Sequence, residues 1–268
     1  MGKHCQLVIG PAGSGKSTYC HTIQQHCQTI GRTVHCINLD PAAESYEYNC
    51  VIDIRDLISL DDVTTELQLG PNGGLIYCIE YLCNNLEWLD ELIHEYNDDY
   101  IIIDCPGQIE LYSHLQHFNK LITYFQQSNY TICTISLIDS LLITDTQRFI
   151  SGILMCLSFM CQFELPHISV LSKSDLVDHR LIDKFLDPDI SILLSDLMTN
   201  TNRYNKLTNS ILSLIEQYNI VSFVSLSIYD DNSVDILLQH IDNAIQYGED
   251  VEPKEPDDQV VDTADMLG

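Results

Sequence analysis

Eight residues, Gly10 to Ser17, constrain this chain more than any other stretch. "GPAGSGKS" follows a short apolar run and leads into a helical pattern. The spacing G-x-x-x-x-G-K-[ST] between a strand and a helix makes a phosphate-binding loop. Its glycines let successive backbone N–H groups wrap an anion, and the positive end of the following helix adds to the field. Gly13, Ser14, Gly15 and Thr18 fall in the cradle. Lys16 is placed to reach the β- and γ-phosphates, and the Ser17 hydroxyl to ligate Mg²⁺.

The surrounding pattern agrees with such a loop. Candidate strands lie at Gln6–Ile9, Thr33–Leu39, Tyr100–Ile103, Tyr130–Ile138, His167–Leu171 and Val221–Leu226. Amphipathic segments alternate with them: Lys16–Thr29, Asp53–Leu67, Leu75–Glu95, Ile109–Gln127, Thr144–Phe163, Leu181–Tyr218 and Val234–Tyr247. Alternating strands and helices predict an α/β fold, a P-loop nucleotide-binding domain whose mostly parallel sheet carries helices on both faces. Strands covered on both sides read as unbroken apolar runs, as "YIII" does. The 268 residues, 45% of them hydrophobic, suit one domain over residues 1–248. Two helical segments read as additions to it, at about 44–97 and about 178–219. Residues 249–268 carry Glu249, Asp250, Glu252, Glu255, Asp257, Asp258, Asp262 and Asp265 against Lys254 alone, and read as a disordered acidic tail.

Carboxylates at strand ends come next, because open α/β sheets bind ligands at that edge. Asp40 in "INLDPAAE" is a candidate to organise Mg²⁺ or the attacking water; the alternative is that Asp40-Pro41 simply stops the strand. "YIIIDCPGQIEL" delivers Asp104 to the same edge, where a Walker B carboxylate holds Mg²⁺. Gly107 can bring a backbone N–H to the γ-phosphate, and Gln108 stands where many such proteins orient the attacking water. Glu110 can align that water or accept its proton. As a first-turn acid it equally suits the helix dipole.

"ISVLSKSD" supplies base recognition. Guanine offers two donors, N1–H and N2–H₂, that one carboxylate can accept together. Ser172-Lys173-Ser174-Asp175 therefore assigns Asp175 to the base edge and the Lys173 stem to its face, with Ser172 where Asn is usual. Leu226 or Ser227 in "FVSLS" is a weaker candidate near the base.

Composition excludes several classes. A formal charge of -27 with 12 Lys+Arg argues against direct nucleic-acid binding, which needs a basic face. The 11 cysteines are scattered through apolar runs without a C-x-x-C pair, as in a reduced intracellular protein. "CHTIQQHC" lacks the His pairing of a helical zinc site. "MGKHCQ" has Gln6 where a myristoylation signal wants Ser or Thr, and no leader-type apolar region opens the chain. "FISGILMCLSFM", Phe149 to Met160, is too short to cross a membrane and reads first as a core helix, second as an interface.

Gly70-Pro71-Asn72, set between the P-loop and "DCPGQIELY", resembles the GPN-loop GTPases, as do "NLDPAAE", "FLDPD", "QHIDNAIQYGED" and "KEP". The resemblance runs over residues 6–256. It implies GTP/GDP and Mg²⁺ as ligands, and dimerisation through the nucleotide face. Asn72 of one subunit would then act in the site of the other. It further implies a heterodimer with a GPN-loop GTPase 1-type subunit, with a homodimer also open. The implied role is assembly and nuclear import of RNA polymerase II through contact with its subunits, with other RNA polymerases as further candidates. The implied location is cytoplasmic, with shuttling to the nucleus open, and no membrane or direct nucleic-acid partner. Without the resemblance, Gly70–Gly74 read as a helix cap, and the helix at Phe149–Met160 is the guess for a mobile client surface. Two rivals stay in view: a nucleotide-binding structural subunit with little hydrolysis, and a P-loop small-molecule kinase, which the scarcity of Arg disfavours.

Overall fold

The computed structural model describes residues 2–96, 100–113, 117–186, 205–217 and 221–248. Among them, seven strands form one sheet: β1 (Lys3–Ile9), β2 (Val34–Asn38), β3 (Cys50–Asp53), β4 (Tyr100–Asp104), β5 (Tyr130–Asp139), β6 (His167–Ser172) and β7 (Phe223–Ser225). Their order is β3-β2-β4-β1-β5-β6-β7, and every pairing is parallel. The helices are α1 (Lys16–Thr29), α2 (Leu60–Glu66), α3 (Pro71–Asn84), α4 (Leu86–Ile93), α5 (Glu110–Ser113), α6 (His117–Gln127), α7 (Thr146–Phe163), α8 (His179–Leu186), α9 (Asn205–Gln217) and α10 (Asp231–Ile245).

Parallel strands need a crossover between neighbours, so the helices fall on both faces. One face carries α1 and α10, whose Tyr19, Ile23, Leu237 and Ile241 meet Val8, Ile102 and Ile135. The other carries α3, α4 and α6, whose Ile79, Leu89, Leu121 and Phe125 meet Leu7, Ile37 and Ile101. A third cluster joins α7, α8 and α9 to the β5–β7 end through Phe149, Ile153, Phe185, Leu212 and Phe223. Every residue of β4 is buried, as its unbroken apolar run requires.

The departures from expectation have local causes. The segment at about 44–97 is not wholly helical: Cys50–Asp53 adds the edge strand β3, which the helical reading of Asp53–Leu67 hid. Asp53 ends that strand by accepting the Arg55 N–H and starting a 3₁₀ turn at Ile54–Asp56. The long helix expected at Leu75–Glu95 breaks at Asn85, whose side-chain amide donates to the Tyr81 carbonyl at 2.7 Å. Such a bond competes with the helical ladder. Of the helix expected at Ile109–Gln127, the described residues are helical over α5 and α6, with residues 114–116 outside the described residues, and the last strand shrinks to three residues. In the segment at about 178–219, α8 and α9 are helical; residues 187–204 and 218–220 lie outside the described residues, as does the tail at 249–268.

The helix α7 is a core helix. Phe149, Ile150, Ile153, Cys156, Leu157 and Phe159 are buried, and the exposed positions are Gln147, Arg148, Ser151, Ser158 and Cys161. Among the described residues, no helix is long and apolar enough to cross a membrane. Phe149 is the pin of the third cluster, edge-on to Phe185 at 4.9 Å and 5.5 Å from Phe223. Phe149→Ala is expected to lower unfolding stability by about 3–5 kcal/mol, since deleting a buried ring removes transfer energy and leaves a cavity. A urea titration of both proteins checks this, and an unmoved midpoint would refute it.

Candidate nucleotide site

The carboxyl ends of β1, β4, β5 and β6 converge on one edge. The P-loop leaves β1 through Gly10, whose φ is +146° and where an added Cβ would sit 2.4 Å from the Leu137 carbonyl oxygen. No other residue fits there. Gly15, at φ +90°, caps α1, and Lys16 opens it. Lys16 is buried, and its Nζ donates to the carbonyls of Gly10 and Pro11 at 3.2 Å each. Both oxygens belong to the loop that would hold phosphate.

The second loop lies directly against the first. A Cβ on Gly107 would stand 2.9 Å from the Ala12 Cα, so the backbones touch only because residue 107 has no side chain. The Tyr112 hydroxyl donates to the Pro106 carbonyl and fixes the turn. Gln108 follows, half-buried, and its Nε2 donates to Asn72 Oδ1 at 3.0 Å. Asn72 therefore meets Gln108 of its own chain. Glu110 is exposed at the start of α5.

The stretch Gly70–Gly74 is the start of a helix rather than an open loop. Gly70 is the extended N-cap of α3, Pro71 takes the first helical position, and the Gly74 N–H bonds the Gly70 carbonyl at 2.8 Å. The left-handed residue before it is Gln68, at φ +52°. Gly74 serves close approach instead: a Cβ there would lie 2.8 Å from Leu60 Cδ1 on α2.

Asp104 is the charged centre, 1% exposed. Burial pushes its pKa up to about 6, and Asp40 pushes the same way. The Ser17 hydroxyl, Lys16 and the Tyr48 hydroxyl pull it down. The Tyr48 hydroxyl donates to Oδ2 at 3.1 Å, while Oδ1 is buried without a hydrogen-bond partner. An orphaned buried carboxylate oxygen beside Ser17 fits Mg²⁺, which takes few protein ligands and completes its shell with phosphates and water. Among the described residues no group of three or more His, Cys, Asp or Glu could hold a metal ion. Asp40 is half-buried and its pKa is raised by burial; its Oδ1 accepts the Ala42 N–H at 2.9 Å.

A pocket of ≈ 240 Å³, the candidate base site, is lined by Gly15, Thr18, Lys173, Asp175, Leu226 and Tyr229, among others. Lys173 has φ +55°, and its Nζ bridges the Gly13 carbonyl and Asp139 Oδ2, each at 2.7 Å. Ser172 donates its hydroxyl to the Ser14 carbonyl at 2.7 Å. The base turn is thus tied to the P-loop at two points. Ser227 is buried, and its hydroxyl accepts the Tyr229 N–H at 3.3 Å.

A network of side chains that no motif marks surrounds the segment that follows β2. The Asp53 carboxylate receives Arg55, Asn38 and Tyr46, which holds its pKa down at about 2 against the effect of burial. Tyr46 stacks on Tyr48 with centroids 4.5 Å apart. The signal was available: two tyrosines spaced by one residue share a face of an extended chain.

The site has the parts of a P-loop nucleotide-binding protein: a phosphate loop, a buried carboxylate facing it, and a pocket braced against it. The chain belongs to the GPN-loop GTPase family. A family profile described as "Conserved hypothetical ATP binding protein" matches residues 8–247. GPN-loop GTPase 3 of Dictyostelium discoideum is 52% identical over 261 residues, covering 96% of this chain and 92% of that one. GPN-loop GTPase 3 of Danio rerio is 46% identical over 263 residues, covering 96% and 92%. The crystal structure of a GTPase in apo form from Pyrococcus abyssi matches with a TM-score of 0.75 at 20% identity, covering 90% of this chain and 97% of that one, a likeness of fold.

Asp175→Asn is expected to weaken GTP binding by about 100-fold or more, because each hydrogen bond to a charged partner is worth about 1.5–3 kcal/mol. Xanthosine triphosphate, whose C2 carbonyl accepts from an amide, should gain. Competition binding with the two nucleotides checks both, and unchanged GTP affinity would remove Asp175 from the base site.

Asp104 yields a pH prediction. Its folded pKa of about 6 exceeds the ordinary aspartate value of 3.8, so the folded state binds more protons between them. This carboxyl therefore makes stability fall as pH rises through that window. Asp104→Asn should raise the melting temperature of the nucleotide-free protein at pH 7.5, and the advantage should shrink as pH drops from 7 toward 4. Thermal melts across that range test it; a constant difference would refute it.

Proposed function

We propose that this protein is a GTP-binding and GTP-hydrolysing switch. The observation that carries the reading is the base pocket: Lys173 and Asp175 stand at its wall while the same Lys173 clamps the P-loop through Gly13. A carboxylate there accepts both guanine donors, and adenine lacks that pair. The relatives named as GTPases support guanine over adenine, despite the family profile's ATP-binding description.

The residues divide the work. Lys16, now on the Gly10 and Pro11 carbonyls, transfers its donors to phosphate oxygens. Gly13, Ser14, Gly15 and Thr18 surround the phosphates with backbone and hydroxyl groups. Ser17 and Asp104, with Asp40 behind them, would hold Mg²⁺, which when bound neutralises charge on the β- and γ-phosphates. Gln108 orients the attacking water, Asn72 holds Gln108 or reaches a partner's site, and Glu110 takes the proton or steadies the start of α5.

The wider role follows the family resemblance. The reading includes work with a GPN-loop GTPase 1-type subunit in assembly and nuclear import of RNA polymerase II, from a cytoplasmic location. A formal charge of -27 suits transient binding of basic, unassembled subunits. GTP would draw the two subunits together, and hydrolysis would loosen them and alter the client-binding surface.

Turnover of GTP and ATP, by the chain alone and mixed with such a partner, tests the reading. GTP-only hydrolysis that rises with partner and falls about 100-fold in Gln108→Ala is expected, since misplacing a reacting group by about 1 Å costs about 10²-fold. Asn72→Ala should fall too. ATP turnover would favour a kinase, and tight GTP binding without turnover in any mixture would leave a binding subunit.

A further inference from the structure

Tyr48 comes from the connection between β2 and β3, yet its hydroxyl reaches a carboxylate at the end of β4, 56 positions away. It is 4% exposed, so this is an interior contact. The bond is one-sided: Tyr48 takes Oδ2 of Asp104 and leaves Oδ1 as the buried oxygen without a partner. A carboxylate free to rotate about its last torsion has two equivalent ways to face the P-loop. A carboxylate with one oxygen tied to a fixed donor has one.

The donor is fixed by what lies behind it. Tyr46 stacks on Tyr48 at an interplanar angle of 13°. The Tyr46 hydroxyl donates to Asp53, and Arg55 grips Asp53, the Ala43 carbonyl and the Tyr46 hydroxyl, with its guanidinium 5.1 Å from the Tyr46 ring centroid. Each group in this stack has a partner that holds its orientation, from Arg55 on the edge to Asp104 in the centre of the sheet.

We propose that Tyr48 is a positioning residue for Mg²⁺ at the nucleotide site: its hydroxyl orients Asp104 so that Oδ1 faces Ser17 and the phosphates. The inference rests on the reading that Ser17 and Asp104 hold the metal with the nucleotide. Groups that orient metal-ligating carboxylates typically matter by 10–100-fold in metal affinity or activity. Tyr48→Phe keeps the ring and its stack and removes only the donor.

The test is binding of a fluorescent, non-hydrolysable GTP analogue to the full chain, titrated with MgCl₂ from an EDTA baseline. Wild type, Tyr48→Phe, Asp104→Asn and the double variant are compared, with a thermal melt of each. Tyr48→Phe should bind the analogue as wild type does in EDTA and need about 10-fold more Mg²⁺ for half of the metal-dependent gain. In the Asp104→Asn background, adding Tyr48→Phe should change the Mg²⁺ midpoint no further, because the hydroxyl acts through that carboxylate. A lower melting temperature with an unmoved Mg²⁺ midpoint would make Tyr48 merely structural and overturn the inference. Additive shifts in the double variant would also overturn it. A wild-type chain whose analogue binding ignores Mg²⁺ would overturn the metal reading, and the inference with it.

Discussion

Seven parallel strands can share a sheet only when every connection returns across a face, and that places the carboxyl ends of all of them along one edge. Here β1 lies between β4 and β5, so the loop after β1 is flanked by the ends of both. The close approaches follow from that order. Gly10 lies against the Leu137 carbonyl of β5, and Gly107, just after β4, lies against Ala12. The P-loop is thus shaped as much by its neighbours' backbones as by its own glycines. A methyl group on Gly10 would push the loop off strand β5, and one on Gly107 would force the two loops apart.

Much of this was legible in the sequence, because strand–loop–helix punctuation is a local signal. The P-loop, Asp104 and the Ser172–Asp175 turn stand where the motifs put them. The edge strand β3 was not legible: four residues, Cys50–Asp53, run into a helical-looking segment, and only pairing with β2 makes them a strand. The helix break at Asn85 was equally hidden, since one side-chain bond to Tyr81 outweighs the surrounding periodicity. Gly70–Gly74 reads from its residues as a helix cap, and Gly70 is the N-cap of α3; what that reading lacks is that Gly74 lies inside the helix, where the space it leaves is taken by Leu60 and Thr64 of α2. Turn composition and helix–helix contact use the same residue for different reasons.

Ser172 shows how a departure from a motif can be absorbed. An Asn side chain would offer donor and acceptor at that position. The serine hydroxyl, shorter, lies within reach of the Ser14 and Ile138 carbonyls at 2.7 and 3.2 Å. The contact to the P-loop survives, with Lys173 adding its own to Gly13. The turn at Ser172–Asp175 and the phosphate loop are therefore tied at two points, where the side-chain donors of Ser172 and Lys173 meet backbone carbonyls of Ser14 and Gly13.

The stack from Arg55 through Tyr46 and Tyr48 to Asp104 joins the edge of the sheet to its centre. A four-residue edge strand is the kind of element that opens first in native-state exchange, because little burial holds it. Here such an opening would break into the stack, since Asp53 is both the last residue of β3 and the anchor for Tyr46. The amide protons of β3 thus report on the ligand site without touching it. Any ligand that binds only when Asp104 is in place raises the free energy of that opening by an amount that grows with the ratio of its free concentration to its Kd. Slowed exchange at the edge strand would then be a gauge of occupancy at the centre, read from a part of the sheet that holds none of the chemistry.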